Sequence, residues 1–524
     1  MFKHYLAAHS FKRQGLACAL TTGILLSGCA MGPDYQQPDL EIPGQYHHDL
    51  AQDTRLNIGM TPWRDFYLDP DLQVLIEHAL SKNLDLETVR SRLIAARSKI
   101  TVTDAALYPV LGMNANGERS IDSGITSTNP SHENEFDLAG TVSWELDIWG
   151  ANRRRSEAEY AHFLSAQESL NLAVISLISD VASRYYEWLD IEQRYQISLN
   201  TVELRKKERN LARLRKENGV ISGLEVRQAE VEYQSARVTL PDLDFERQEK
   251  ANQVRILLGE FSYPLAVKTE TDIQAEGKLF PDQFAVGVPS QMLSQRPDVK
   301  AAEQGLIAAN ANVGVAKTAF FPSFTISGSY GTETNDLSSI FDSQGVTWSL
   351  LGGITAPIFN AGSIAAQYDI AQEESKQALL AYRSTVLSAY FEVNDAMNSF
   401  RRSELAIEAQ QELVAASTEY NRLATLRYRN GVSSSLDLMD AQRSLFSAQL
   451  SLSLVKRDRL LSMITLYRAL GGGILSKQDL SEEELSQDEL SQDERVSVQD
   501  PTRKIADSVA DNSEGTANTV QDRD

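Results

Sequence analysis

Few side chains in this sequence are spaced for bond chemistry. Beyond residue 28 the histidines are His47, His48, His78, His132 and His162; none belongs to a His-Glu-x-x-His pair, and there is no Gly-x-Ser-x-Gly elbow and no phosphate-cradling loop. No nucleophile, base and metal set converges, which argues against an enzyme. His47-His48 could bind a metal ion, yet in an exposed polar stretch the pair reads as linker, and no metal or other dissociable cofactor is expected. Asp437 and Asp440 are more informative, because at this spacing on a helix they are neighbours on one face. If that face lines a symmetric lumen, the pair becomes rings of carboxylates that attract cations and raise one another's proton affinity. If it faces solvent, it is an ordinary charged surface beside a turn.

Cys29 suggests a covalent modification instead. Lys3, Lys12 and Arg13 precede the apolar stretch Leu16 to Leu26, which runs into Leu26-Ser27-Gly28-Cys29. This order resembles a bacterial lipoprotein signal. Cleavage before Cys29 would leave diacylglycerol on its thiol and an acyl chain on the new amino group, a firm anchor. The other reading is a secretory leader with a chance cysteine. Cys18 would leave with the leader, so neither a disulfide nor a Cys-metal site is expected. Ala30 stands where an Asp would signal retention in the inner membrane, which leans the address toward the outer one.

The elements that position these residues come in two copies. Leu211-Ala212-Arg213-Leu214-Arg215 with Asn218-Gly219-Val220 returns as Leu423-Ala424-Thr425-Leu426-Arg427 with Asn430-Gly431-Val432, an offset of 212 that still holds at Leu258-Gly259 and Leu470-Gly471. Earlier in each copy the offset is 213, as between Tyr108-Pro109 and Phe321-Pro322. The hydrophobic period changes in the same order in both. Residues 70 to 107 read as one helical run that Pro109 ends. From Phe136 to Ile148 the period is two, with Leu138, Val142, Trp144 and Leu146 on one face and Asp137, Thr141, Ser143, Glu145 and Asp147 on the other. Phe324, Ile326 and Tyr330, then Val346, Trp348, Leu350 and Ile354, repeat this, and Leu111, Met113 and Ala115 supply a weaker fourth strand. After Gly150 and Gly362 the helical period returns for long helices, 150–218 and 361–430, which the Asn-Gly-Val turns reverse into helices 223–257 and 435–470. Pro241 predicts a kink or restart in the first returning helix.

The 524 residues carry a formal charge of -22, which argues against nucleic acid as a partner. After the leader no apolar run approaches the roughly 20 residues of a membrane helix. The strands, in contrast, have the length and dyad period of outer-membrane barrel strands. Four strands cannot close in lipid without leaving backbone groups unsatisfied, so several chains must contribute. Three would leave a lumen where two would fill it with side chains.

The lipobox, the duplicated helix-hairpin-helix plan, Trp144-Glu145-Leu146-Asp147-Ile148-Trp149-Gly150, Arg296-Pro297-Asp298-Val299, Pro357-Ile358-Phe359-Asn360 and the Asn-Gly-Val turns resemble the outer-membrane factor family, the TolC-like exit ducts of tripartite pumps, over roughly residues 30 to 473. The resemblance implies a mixed α/β membrane protein whose four transmembrane β-strands per chain complete a homotrimeric 12-stranded β-barrel, continued by a long periplasmic α-helical barrel. It also implies a periplasmic adaptor and an inner-membrane transporter as partners, the lipobox and Arg-Pro-Asp-Val resembling the lipoprotein branch that serves resistance-nodulation-division pumps. The expected organisation is a signal peptide 1–28, a lipidated linker 29–69, a first repeat 70–260 with hairpin 109–148, a connection 261–290, a second repeat 291–473 with hairpin 322–357, and an acidic, disordered tail 474–524.

By the same resemblance the helical tips meet the adaptor through Leu214, Arg215, Asn218, Gly219, Val220 and Leu224 on one side and Leu426, Arg427, Asn430, Gly431, Val432 and Leu436 on the other. Plain turn chemistry accounts for Asn-Gly but not for Leu and Arg recurring on both approaches. Asp437 and Asp440 match aspartates of the periplasmic gate, Tyr428 matches a tyrosine of its closure contacts, and Glu225 stands where the first copy often has an acid. Ser433 falls where some relatives place a latching arginine. The alternatives are a type I secretion duct and a non-conducting periplasmic scaffold lipoprotein; a scaffold gains nothing from thirteen residues of strict alternation.

Overall fold

The computed structural model describes residues 30–46, 58–121, 132–265, 279–281 and 286–473. The expected signal peptide, Cys29, His47, His48, most of the 261–290 connection and the acidic tail lie outside the described residues.

In chain order the principal elements are α1 (Pro70–Lys82), α2 (Leu84–Ala105), β1 (Val110–Ile121), β2 (His132–Leu146), α3 (Ala151–Glu217), α4 (Gly223–Leu257), α5 (Pro297–Thr318), β3 (Ser323–Thr334), β4 (Val346–Thr355), α6 (Ser363–Arg429) and α7 (Ser435–Ala469). α1 starts where the Asp69 carboxylate accepts from the Asp71 and Leu72 amides and Pro70 occupies the first turn. The single helix expected over 70–107 is instead two. Asn83 is extended, its Oδ1 accepts from the Leu86 amide at 2.9 Å to start α2, and its Nδ2 donates to the Leu257 carbonyl at 2.9 Å. One side chain thus caps α2 and binds an orphan carbonyl at the end of α4.

The strands form one antiparallel sheet in the order β1-β2-β3-β4, leaving β1 and β4 as edges. Its register places Leu111, Val142, Gly328 and Leu350 across one face, with Met113, Tyr330 and Trp348 beside them, and Asn116, Asp137 and Glu333 across the other. β2 ends at Leu146 rather than Ile148. Asp147 turns back and accepts from the Asn152 and Arg153 amides, both at 3.0 Å, so helix initiation wins over two further residues of strand.

α3 and α6 each run 67 residues, about 100 Å at 1.5 Å per residue. The long helices pack side by side as α4–α3–α7–α6, and α5 packs on both α3 and α6. The core sits at mid-length, where Phe66 stacks on Tyr467 at 4.1 Å beside Tyr67 and Phe280, and Tyr186 packs on Phe280. The restart expected at Pro241 does not occur: α4 is continuous through it. Pro241 is exposed in the protomer, so its ring meets no packed neighbour and the helix passes through it. Arg296 is buried; it donates to the Ala469 carbonyl at 2.7 Å and pairs with Asp298 and Glu392, both at 2.6 Å. Burial works against its charge, but the two carboxylates outweigh it and hold the guanidinium above its ordinary pKa.

Candidate gate, docking tips and membrane end

Both helical reversals use the same hydrogen bonds. After α3, the Asn218, Gly219 and Val220 amides return to Leu214, Lys216 and Arg215; after α6, those of Asn430, Gly431 and Val432 return to Leu426, Tyr428 and Arg427. Gly219 and Gly431 take φ of 75° and 71°, which a side chain would strain. The next helices start alike, through capping boxes Ser222/Glu225 and Ser434/Asp437. Glu225 and Asp437 are therefore counterparts, each bound to the backbone amide of its own cap residue. The Ser-x-x-acid spacing in the sequence announces this capping role, beside the expected one as gate acids.

Leu214, Val220, Leu224, Leu426, Val432 and Leu436 are all exposed, an apolar set displayed on both tips. Arg215 lies over the Tyr428 ring, linking the tips. Arg215, Glu225 and Tyr428 line one cleft of about 220 Å³ between α3, α4, α6 and α7. Asp437 and Asp440 are exposed beside it. Asp440 accepts from the Tyr420 hydroxyl at 3.3 Å and lies 3.8 Å from Arg443, which also reaches Glu232. Burial, then Asp440, raises the Tyr420 phenol above its ordinary pKa.

Behind the tips, buried Arg205 binds Glu208 at 3.2 Å, Glu232 at 3.7 Å and Gln442, and Gln442 donates to Glu208 at 2.6 Å. This network ties α3, α4 and α7 just inside the turns. Sequence reasoning missed it, as it missed Tyr420, because the partners lie on different helices. Ser433, where a latching arginine was noted in relatives, has a buried hydroxyl with no hydrogen-bond partner.

At the opposite end the Trp149 indole donates to the Pro322 carbonyl at 2.8 Å and its ring packs 4.8 Å from Phe321, joining the two repeats below the sheet. The N-terminal segment is stapled there: the Met31 amide donates to the Trp149 carbonyl at 3.0 Å, and Arg154 pairs with Asp34 at 2.6 Å. Ala30, the residue after Cys29, rests against Gly150, where a Cβ would come within 2.7 Å of its Cα. On the apolar face of the sheet Met113, Tyr330, Trp348, Leu350 and Ile354 are each at least two-thirds exposed in the protomer. Among the described residues no helix is long and apolar enough to cross a membrane, and no group of three or more His, Cys, Asp or Glu is arranged to hold a metal.

The profile of the family described as "Outer membrane efflux protein" matches residues 75–260 and 288–472. The "Probable efflux pump outer membrane protein TtgC" of Pseudomonas putida is 33% identical over 476 residues, covering 88% of this chain and 96% of TtgC. The "Cation efflux system protein CusC" of Escherichia coli K12 is 34% identical over 458 residues, covering 86% and 97%. The crystal structure of the open state of the Neisseria gonorrhoeae MtrE outer membrane channel superposes with a TM-score of 0.78 at 30% identity, covering 85% of this chain and 99% of MtrE.

Proposed function

The chain belongs to the outer membrane efflux protein family, and on that premise we propose that three copies form the exit duct of a tripartite pump, joined through a periplasmic adaptor to an inner-membrane transporter of the resistance-nodulation-division class. It is an outer-membrane efflux channel extending into the periplasm, in a family of channels rather than enzymes. The observation that carries the trimeric reading is the sheet: both edges are open, one face is apolar and exposed, and it continues into helices about 100 Å long. In lipid such edges must be paired, and twelve strands leave a lumen.

Within this duct the exposed tip leucines and valines, with Arg215 and Arg427, are the adaptor's docking surface. Asp437 and Asp440, with Tyr428 and Glu225 beside them, form the periplasmic constriction; opening is a shift of packed helices driven by partners that favour the open state. Acylated Cys29 anchors the chain at the outer membrane, in keeping with Ala30 at the sheet end of the helices. TtgC and CusC are named for different pumps, and CusC for cations, so the cargo follows the attached transporter.

Single-channel conductance of the purified acylated protein in a planar bilayer, with its oligomer mass in the same detergent, tests this reading. A trimer with small, cation-favouring currents is expected. A particle of another stoichiometry that never conducts would overturn the duct and favour a scaffold.

A further inference from the structure

Where α7 ends and α5 begins, the two helices meet end to end between α3 and α6, and the joint is not filled. The Ala469 carbonyl, last in α7, accepts from Arg296, the residue before α5, and the chain leaves through Gly471, Gly472 and Gly473, which have no side chains to close the gap. A recess of about 620 Å³ remains there. α7 shows which side it opens on: Met463, Leu466 and Tyr467 are buried in the aromatic core, whereas Thr465 and Arg468 line the recess from the other side of the helix. The core side is covered by Trp63, Phe66 and Phe280, whose segments lie off the helical layer. In a closed tube that side is the outer one, so the recess opens on the lumen.

Its lining divides by chemistry. Ile175 and Ile464, 3% and 2% exposed, and buried Pro297 supply an apolar wall. The two guanidiniums are already engaged: Arg296 holds Asp298 and Glu392, both at 2.6 Å, and Arg468 faces Asp180 at 3.6 Å. Asp395 is exposed in the recess and has no ion pair among the described residues. Ser179, 2% exposed, also lines it, and its hydroxyl has no hydrogen-bond partner. A drug-sized cavity with an apolar wall and a few convergent polar groups has the form of a small-molecule site. Four carboxylates against two guanidiniums make it net negative, which selects a cation.

We infer that this recess is a resting site on the duct wall for organic cations with an apolar body, the body against Ile175, Ile464 and Pro297 and the charge toward Asp395. This rests on the duct reading proposed above and gives the duct a preference of its own among the molecules handed to it. A bare metal ion is not the guest, because no three His, Cys, Asp or Glu among the described residues are arranged to hold one. An exposed carboxylate binds a cation weakly, which suits a conduit, since a guest that enters must also leave.

Tetraphenylphosphonium and tetraphenylborate, alike in shape and opposite in charge, test the site in the purified, acylated full-length protein. Equilibrium dialysis is expected to show saturable binding of tetraphenylphosphonium in preference to tetraphenylborate. Asp395→Asn should weaken it about three- to fivefold, the worth of an exposed ion pair. Asp395→Lys should reverse the preference, and Ser183→Phe, which fills the recess from α3, should abolish binding. Asp440 lies roughly 40 Å from Arg468 along α7 at 1.5 Å per residue, so Asp437→Ala with Asp440→Ala should leave binding unchanged. Equal binding of the two ions by wild type, equal binding by wild type and Asp395→Asn, or loss only in the Asp437, Asp440 variant overturns the site. In a planar bilayer, tetraphenylphosphonium should reduce the single-channel current of wild type more than that of Asp395→Asn; a conducting trimer that binds it with no change in current takes the recess off the path and overturns the resting-site role. A particle that is neither trimeric nor conducting overturns the duct reading, while dialysis still decides whether the recess binds.

Discussion

Arg215 of the first tip stands over the ring of Tyr428 of the second, its guanidinium carbon 5.8 Å from the ring centroid. A cation facing an aromatic quadrupole at a half-exposed site contributes about 0.5–1 kcal/mol, enough to bias a gate by a few-fold. Because the two residues sit on different hairpins, opening that separates the hairpins must break the contact. Arg215→Ala and Tyr428→Ala are each expected to raise single-channel open probability by a few-fold, Tyr428→Phe to leave it unchanged, and the double Ala variant to match the single ones. Additive effects in that double-mutant cycle would show that the two residues act separately.

Asp437 and Asp440 should govern which ions pass. In a threefold duct they place six carboxylates around the axis, and neutralising them removes the attraction for cations. The Asp437→Ala, Asp440→Ala variant is expected to lose most of its cation preference, read as a reversal potential moving toward zero in a salt gradient. Unchanged conductance and unchanged selectivity would remove both residues from the constriction. Asp437 also closes the capping box with Ser434, so Asp437→Ala alone should fray the start of α7, whereas Asp440→Ala should not.

Local periodicity carried most of the fold. Gly219 and Gly431 mark the reversals because each backbone needs a left-handed turn there, and the even-numbered apolar residues of β2, β3 and β4 share a face as their alternation requires. The break at Asn83 was hidden because apolar spacing runs through it; the signals were a capping Asn and the acids Asp85 and Glu87 in the next turn. Asp147 reads as strand because Ile148 continues the alternation, while its partners are amides five and six residues on. The Arg205 network and the Tyr420–Asp440 bond join residues on different helices, and no local period records such pairings.

The junction of β2 and α3 should depend on Asp147. Its carboxylate binds two orphan amides and Arg153 at 3.3 Å, so Asp147→Ala is expected to cost about 1–2 kcal/mol, the usual loss of a helix cap. Asp147→Asn keeps an acceptor and should lose less. Thermal unfolding followed by circular dichroism compares the two; equal loss would show that the charge, not the acceptor, matters.

Acid should loosen the α3–α4 pair through Glu187. Burial raises its proton affinity, but Lys250 at 2.8 Å and Arg184 at 2.9 Å outweigh that and hold the carboxyl below the ordinary glutamate range. A depressed folded pKa means the contribution is complete above the unfolded value, about 4.3, and fades as pH falls from there through the folded value. The melting temperature of wild type should therefore fall more steeply below about pH 4.3 than that of Glu187→Gln. Parallel curves would assign the acid sensitivity to other carboxylates.

Arg296 should be the most costly single residue to remove at mid-length. It joins the first turn of α5 to the Ala469 carbonyl at the end of α7 and to Glu392 on α6. Removing one partner of a buried ion pair leaves the other uncompensated, at about 3–5 kcal/mol; because Glu392 is half exposed and rehydrates, the lower end applies. Arg296→Ala is expected to lower trimer yield and melting temperature, and Arg296→Lys to recover only part, since a single ammonium cannot serve a carbonyl and two carboxylates in the geometry of a planar fork. The guanidinium pKa is raised, so this contribution persists throughout the range below its unfolded value and should be insensitive to pH between about 6 and 9, in contrast to that of Glu187. Full rescue by lysine would show that charge alone holds the three helices together there.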